Sequence, residues 1–322
     1  MIEEHGLRVA VLEPEEALGS DRTALDGLAE RAGVSVLRVV DPPAALRTDL
    51  EDNGFLLTPS WVNWLAPVGG DDEAFLSAMT SGERRNVRKA LRECEQRGVR
   101  TVVRAPLTRP VFEEFLALYE PQVAAMRNGV AYAESWREEI EADPHLYFVV
   151  EARDADGSLL GACLCWDQPE LSLARIAFTA QVPEQRQGRV VRALYATATA
   201  EARGRGRGWV SLGSDPTLYG HLTEPGLFGF KARLGFRPVP TRHLQPTAPD
   251  QADAVVSLRG LTEPSLLLSY ASCPTADAPG TGALPVPEPA LRLTVLTAGG
   301  DVDLAAHRAG FLTDTRVETV PG

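Results

Sequence analysis

AFTAQVPEQRQGRVVRALYATATAEARGRGRGWVSLGSD, residues 177–215, is the stretch that decides the fold. It begins with the apolar character of a strand, passes through a turn that contains Gly188, and continues with apolar residues at helical spacing to about Arg203. The segment GWVSLGS, which comes next, has the pattern of another strand. An order of strand, turn, helix and strand predicts an α/β (α+β) fold with a mixed sheet flanked by helices.

The turn before the predicted helix is a candidate anion site. A glycine-containing turn at a helix N-terminus presents unpaired backbone N–H groups, and the helix dipole favours negative charge there. Arginines in the turn add positive charge. The residues assigned to cofactor binding are Gln185, Arg186, Gln187, Gly188, Arg189 and Val190. The alternative is that Gly188 only starts the helix and that the arginines are solvated.

In this context the motif Gln185-x-x-Gly188 resembles the acyl-CoA loop of the GNAT acyltransferase superfamily, Q/R-x-x-G-x-G/A before a long helix. Val190 departs from the small residue expected at the last position. The resemblance covers roughly residues 105–245, and it implies acyl-CoA as the cofactor.

A second motif, LFGFKARLGFRPVP at 227–240, modifies that resemblance. Ordinary GNAT enzymes often carry a tyrosine here that protonates the leaving thiolate, whereas this chain has Lys231. The pattern F-K-x-x-x-G, together with a basic helix, is similar to the Fem-like branch, which includes aminoacyl-tRNA-dependent amide-forming ligases. The resemblance implies a lysine near the acyl carbonyl or a donor phosphate, where an ammonium stabilises the developing oxyanion. The alternative is a surface lysine on an amphipathic helix.

The connection SDPTLYGHLTEPG, residues 214–226, supplies three further catalytic candidates, Asp215, Tyr219 and His221. Acyl transfer to an amine needs a group that accepts a proton, and site residues often lie in connections that follow strands. Each of the three could equally be a turn residue or a packed aromatic. Glu134 and Asp167 are additional candidates for recognising a substrate amine.

The basic helix is predicted from Thr80, which forms a T-x-x-E capping box with Glu83, to a stop at Gly98. Helical spacing predicts an apolar face of Val87, Leu91 and Cys94. The adjacent face carries five positive groups that could contact a polyphosphate or a tRNA: Arg84, Arg85, Arg88, Lys89 and Arg92. The alternative is an ordinary solvated face.

Three domains are predicted along the chain. In residues 1–104, LRVAVL (7–12) and VSVLRVV (34–40) flank a helix between Asp21 and Gly33, which predicts an N-terminal β-α-β half-domain. Residues 105–250 form the GNAT-like acyltransferase domain. Residues 251–322 form a β-rich extension that contains DAVVSL, SLLLSYAS and LRLTVL.

Composition restricts the function classes. The chain has 322 residues, 44% of them hydrophobic, and its 32 Lys+Arg against 44 Asp+Glu give a net charge of -12. This describes a globular protein and argues against DNA as a partner, although a local basic patch for tRNA stays possible.

Lysine occurs only at positions 89 and 231. Four cysteines without x-x spacing argue against a metal site, and the absence of a leader or long apolar run predicts a cytoplasmic protein that does not insert into membranes.

The resulting prediction is an N-acyltransferase that moves an acyl group from acyl-CoA directly to a small-molecule amine and forms an amide. A ternary complex needs no enzyme nucleophile, which agrees with the absence of a G-x-S-x-G motif. The first alternative is a Fem-like transferase with an aminoacyl-tRNA donor. The second is a non-catalytic GNAT-like binding module.

Overall fold

The computed structural model describes residues 1–4, 7–126, 129–185, 189–244, 253–256, 258, 261, 263–272, 284–285, 289–299 and 302–320. The helices are α1 Pro14–Leu18, α2 Arg22–Ala32, α3 Ala44–Asp52, α4 Asp72–Ser77, α5 Ser81–Gln96, α6 Arg109–Ala124, α7 Arg137–Ala142, α8 Arg189–Gly204 and α9 Pro225–Arg233. The strands are β1 Ile2–Glu4, β2 Leu7–Val11, β3 Val36–Val40, β4 Leu56–Thr58, β5 Trp61–Pro67, β6 Arg100–Arg104, β7 Tyr147–Arg153, β8 Leu159–Gln168, β9 Leu173–Gln181, β10 Trp209–Pro216, β11 Leu218–Tyr219, β12 Arg237–Pro240, β13 Asp253–Val256, β14 Ser265–Tyr270, β15 Leu291–Thr297 and β16 Leu312–Thr319. This mixed α/β architecture, with sheets flanked by helices, confirms the predicted fold class.

The chain divides into two compact units, each built from separate segments. Unit 1 contains Met1–Asn63, Ser214–Ala232 and Pro238–Gly322, and unit 2 contains Trp64–Gly213 and Arg233–Arg237. The three-domain division with boundaries at 104 and 250 stays a prediction.

A five-stranded sheet in unit 1 has the order β1-β2-β3-β13-β4. Asp21 caps α2 by accepting a hydrogen bond from the Ala24 N–H, and Gly33 ends the helix in the left-handed conformation. Strands β2 and β3 then pair in parallel, with Val9 opposite Val36. The predicted β-α-β arrangement is therefore present. Strand β13, from the distant tail, pairs antiparallel with both β3 and β4.

A second sheet in unit 1 has the order β11-β14-β15-β16. The apolar tail runs predicted as strands correspond to β13, β14 and β15. Strand β16 was not expected, because its sequence LTDTRVET is mostly polar and its residues are exposed or half-buried. It forms by parallel pairing with β15, whose side chains are nearly all buried.

The seven-stranded sheet has the order β12-β5-β10-β9-β8-β7-β6, and its strands β6 to β9 lie wholly in unit 2. These four strands pair antiparallel. Helix α6 packs on them through Phe112, Phe115 and Tyr119, which belong to a buried cluster with Leu164 and Val149. This cluster is the core that supports the strands before α8.

Helix α5 begins as predicted, because the Thr80 hydroxyl accepts a hydrogen bond from the Glu83 N–H. Its buried face differs in one residue from the predicted one. Val87 and Cys94 are buried, but Leu91 is 37% exposed and Ala90 takes the inner position. Ala90 thus lies on the buried side of α5, which packs against α8.

Candidate functional site

A buried group of three polar side chains brings together Lys231, Asp215 and Tyr219 in unit 1. The Lys231 Nζ lies 2.8 Å from each Asp215 carboxylate oxygen. The Tyr219 hydroxyl donates to Asp215 Oδ2 at 3.2 Å. Lys231 and Asp215 are each 6% exposed, and Tyr219 is fully buried. The alternative of a surface lysine therefore does not apply to Lys231.

The backbone of the connection between β10 and α9 holds this group in place. Strand β11 pairs with β14, with Tyr219 opposite Leu266. Gly220 follows with a φ of 125°, and its N–H donates to the Thr223 carbonyl at 2.7 Å. The Tyr219 ring then packs edge-on against Phe228 of α9, one turn before Lys231, with ring centroids 5.6 Å apart. The connection thus places the carboxylate, the phenol and the ammonium within one compact arrangement.

Burial lowers the pKa of Lys231 below that of a free lysine, and the adjacent Asp215 carboxylate opposes this shift. Two of the three N–H donors of the Lys231 ammonium are directed to the Asp215 carboxylate. Such a group can stabilise negative charge that develops on a bound carbonyl oxygen.

His221 follows Tyr219 by two residues and is half-buried. It lines a cavity of unit 1 together with Ser60, Trp61 and the residues from Pro216 to Leu218. The same connection therefore supplies the buried Lys231 partners and one wall of this cavity.

The predicted cofactor turn is partly described. Arg186, Gln187 and Gly188 lie outside the described residues. Gln185 ends a short 3-10 helix, and Arg189 begins α8 with an ion pair to Glu93 at 2.9 Å. The Val190 side chain is 1% exposed, so at this position only the backbone can face a ligand.

The basic face of α5 carries several neutralising contacts. Arg88 pairs with Glu73, and Lys89 lies 3.8 Å from Glu93. The side chains of Arg85, Arg88, Lys89 and Arg92 are nevertheless exposed, and that of Arg84 is half-buried. Beside this face, a cavity of about 240 Å³ is lined by Asn86, Lys89, Ala90, Glu93, Arg189 and Arg192. The structure therefore brings part of the predicted basic face together with the start of α8.

Two features of unit 2 escaped the sequence-based interpretation. Glu83, assigned only to helix capping, is 2% exposed and pairs with Arg192 of α8, so it holds the first turn of α8 against α5. The sequence contained a signal for this contact, because Arg192 follows Arg189 by about one helical turn.

The second feature is the edge of β9. Strands β9 and β10 pair in parallel at three positions that end with Arg175 opposite Ser211, although β9 continues to Gln181. Beyond this point the Gln122 side chain of α6 bonds to β9. Its Nε2 donates to the Thr179 carbonyl at 3.3 Å, and its Oε1 accepts from the Gln181 N–H at 2.9 Å. One carboxamide thus makes the contacts that a peptide group of a neighbouring strand would make.

The two additional candidates for amine recognition have arginine partners. Asp167 binds the Arg207 guanidinium through both of its oxygens, and Glu134 pairs with Arg137 in the same bidentate manner. These carboxylates are therefore neutralised by cations of the protein itself.

Across the ranges given above, no group of three or more His, Cys, Asp or Glu side chains is placed to hold a metal ion. Nor does any helix within them have the length and apolar character of a membrane span.

No protein-family model and no curated protein matches the chain. Among solved structures, FemX is 13% identical with a TM-score of 0.46, over 72% of this chain and 76% of that one. L-PGS from Bacillus licheniformis is 12% identical with a TM-score of 0.41, over 74% of this chain and 73% of that one. A tandem GNAT protein from the clavulanic acid biosynthesis pathway is 14% identical with a TM-score of 0.37, over 72% of this chain and 66% of that one. Two of these three are a Fem protein and a GNAT protein by name, and at this level of similarity none of them carries information on the activity of this chain.

Proposed function

We propose that the chain is an N-acyltransferase that uses an acyl-CoA donor and forms an amide with a small-molecule amine. The observation that carries this proposal is the edge of β9 beyond Arg175. A strand edge binds extended amide chains through backbone hydrogen bonds, and the pantetheine arm of CoA contains two amides. The Gln122 carboxamide on Thr179 and Gln181 supports an affinity of this edge for amide groups.

The start of α8 supports the phosphate part of the same donor. Helix α8 follows β9 along the chain, and a helix N-terminus favours phosphate. Arg189, Arg192 and Lys89 line the neighbouring cavity, and after their pairs with Glu93 and Glu83 one positive charge remains there. CoA carries phosphates at one end and an arm with amides at the other. In this proposal the phosphates bind at the start of α8 and the arm binds along the edge of β9.

The reaction proceeds by direct attack. The substrate amine nitrogen forms a bond to the thioester carbonyl carbon, the C–S bond breaks, and CoA leaves as a thiolate that takes a proton from solvent. The amine loses one proton, which His221 accepts. The Lys231 ammonium stabilises the oxyanion of the tetrahedral intermediate.

An aminoacyl-tRNA donor is the second candidate, and one observation favours it. The exposed side chains on α5, those of Arg85, Lys89 and Arg92, could bind the phosphates of an acceptor stem. The same amide-forming chemistry would then release tRNA instead of a thiol.

The test measures thiol release from acetyl-CoA and longer acyl-CoA esters with a panel of amines, alongside calorimetric titration with CoA and with a charged tRNA. We expect CoA binding and amine-dependent thiol release. The double variant Lys89→Gln/Arg189→Gln removes two phosphate contacts and should weaken CoA binding about tenfold.

Arg109→Gln is the matched control, because Arg109 is an exposed arginine of the same unit that pairs with Glu113 at 3.7 Å. Its CoA affinity should equal that of the unaltered protein. A tRNA complex without CoA binding would instead establish the second candidate. Absence of turnover with every donor and amine would favour a non-catalytic binding module.

A further inference from the structure

The cavity beside His221 lies on one face of the five-stranded sheet. Successive strands contribute residues in register to this face: Val9 lies opposite Val36, Arg38 opposite Val255, and Asp253 opposite Thr58. All six of these residues line the cavity. Because side chains alternate between the faces of a strand, residues two apart on β2, β3 and β13 point to the same side. Leu218 of β11 and Leu267 of β14 also line the cavity.

One end of the cavity is charged. Arg38 Nη1 and Asp253 Oδ2 lie 4.0 Å apart, a distance too long for a direct hydrogen bond between these two atoms. Their side chains are 19% and 9% exposed. A cation and an anion this close together among the residues that line one cavity can bind the carboxylate and the ammonium of one small zwitterion.

Ser60 adds a third polar group to this cavity. Its hydroxyl oxygen is buried and has no hydrogen-bond partner among the described residues. Buried polar groups nearly always have a partner, so an unsatisfied hydroxyl that lines a cavity indicates a ligand that supplies one.

The apolar part of the cavity has the chemistry of an aliphatic side chain. Valines 9, 36 and 255 with Leu258 and Leu267 line it, and the whole cavity, the charged pair included, has a volume of about 120 Å³. An apolar cavity of about 150 Å³ holds a benzene molecule. A cavity of this size and lining suits a small branched aliphatic side chain better than an indole or a long charged side chain.

We propose that this cavity binds an aliphatic L-α-amino acid such as leucine or valine, with its carboxylate at Arg38, its ammonium at Asp253 and its side chain among the valines. In this proposal the amino acid is the acceptor amine, and its role as acceptor rests on the proposed function. The bound ammonium first loses one proton to solvent and becomes the nucleophilic amine, and His221, on the wall of the same cavity, accepts the second proton when the amide bond forms.

Binding is tested first on the unaltered full chain, by calorimetric titration with L-leucine, leucinamide, 4-methylvalerate and isoamylamine. Leucinamide lacks the carboxylate, 4-methylvalerate lacks the amino group, and isoamylamine again lacks the carboxylate. We expect L-leucine to bind at least about tenfold more tightly than each analogue, because each loses a charge-assisted contact. Equal affinities for all four compounds, or no binding of any, overturn the inference without any variant having to fold.

Variants locate the site. Asp253→Asn and Arg38→Gln should each weaken leucine binding at least about tenfold, and Ser60→Ala should weaken it less. Arg22→Gln and Asp26→Asn are matched controls, because they alter an ion pair of α2 in the same unit. Leucine binding that is unchanged in both cavity variants also overturns the inference.

The outcomes separate this inference from the proposed function. Leucine binding at this cavity without formation of an acyl-leucine contradicts the proposed acyltransferase and leaves the binding site established. Acyl transfer to other amines by a protein that does not bind leucine contradicts the amino-acid site and leaves the acyltransferase established.

Discussion

At the scale of single residues, Lys231 and Asp215 form a buried ion pair, and the proposed function assigns Lys231 a chemical role in addition. Because lysine occurs only twice in this chain, position 231 could be identified as a candidate from the sequence. Asp215, sixteen residues earlier, was only one of several candidates for a base. The close contact means that neither side chain can be changed alone without leaving the other charge buried.

Lys231→Met tests this pair. We expect a loss of about 3–5 kcal/mol in the free energy of unfolding, because the Asp215 carboxylate stays buried without its cation. Urea denaturation measures it. The double variant Lys231→Met/Asp215→Leu should recover most of the loss while remaining inactive in acyl transfer.

Lys89→Met is the matched control, since it removes the second lysine of the chain. The Lys89 side chain is 61% exposed, so the change should be within about 0.5 kcal/mol. Equal stabilities of the two single variants would contradict a buried ion pair.

Cys163 provides a pH prediction. Burial raises the pKa of this thiol to about 12, against about 8.5 for a free cysteine. The folded state then keeps a proton that the unfolded state loses, so stability is retained below about pH 8.5 and falls by about 1.4 kcal/mol per pH unit toward pH 12.

Denaturation of the unaltered protein and of Cys163→Ala at pH 8 and pH 10.5 measures this contribution. The variant should show the smaller loss on going to alkaline pH. Identical pH dependence in both proteins would mean that the thiol titrates normally in the folded state.

At the scale of elements, the edge of β9 and helix α6 meet through Gln122. If the pantetheine arm binds this edge, it must displace the Gln122 carboxamide from Thr179 and Gln181. Gln122→Ala should then tighten CoA binding by up to about tenfold, because two competing hydrogen bonds are lost.

The comparison ligand is adenosine 3′,5′-bisphosphate, which has no pantetheine arm. Its affinity, measured by the same titration, should not change in Gln122→Ala. Weaker binding of CoA by the variant would indicate that Gln122 itself holds the donor.

Gly220 determines the backbone conformation between β11 and α9. Its φ of 125° is a conformation that L side chains rarely adopt, and an added Cβ would collide with the Ser265 hydroxyl of β14. Gly220→Ala should destabilise the protein by about 3 kcal/mol. Thermal or urea unfolding measures this.

Gly226→Ala is the control for that substitution. Gly226 lies in the first turn of α9, and a Cβ there would meet no atom within 4 Å. Because alanine favours helices, this change should be neutral or stabilising by up to about 1 kcal/mol. The same change from glycine to alanine is therefore expected to destabilise the protein at position 220 and to leave its stability unchanged or raise it at position 226.

At the scale of the whole molecule, the segments of the two units alternate along the chain. A fragment of residues 105–250, the predicted acyltransferase domain, lacks α5 and the strand β5 that lies next to β10. We expect it to show no cooperative unfolding by circular dichroism.

A fragment of residues 64–237 contains α5, residues 64–67 of β5 and all of unit 2. It should unfold cooperatively. Cooperative unfolding of the 105–250 fragment would instead support the three-domain division predicted from the sequence.

The sequence by itself determined the local elements of this protein. Caps at Asp21 and Thr80, stops at Gly33 and Gly98 and apolar periodicity predict α2, α5, α8 and most strands, because these signals act within a few residues of the chain. The tertiary structure alone decided the partner of Lys231, the Gln122 contact with β9, the polar strand β16 and the opposing charges of Arg38 and Asp253. These contacts join residues far apart in the chain, and which residues meet depends on strand order and register, which local patterns do not specify.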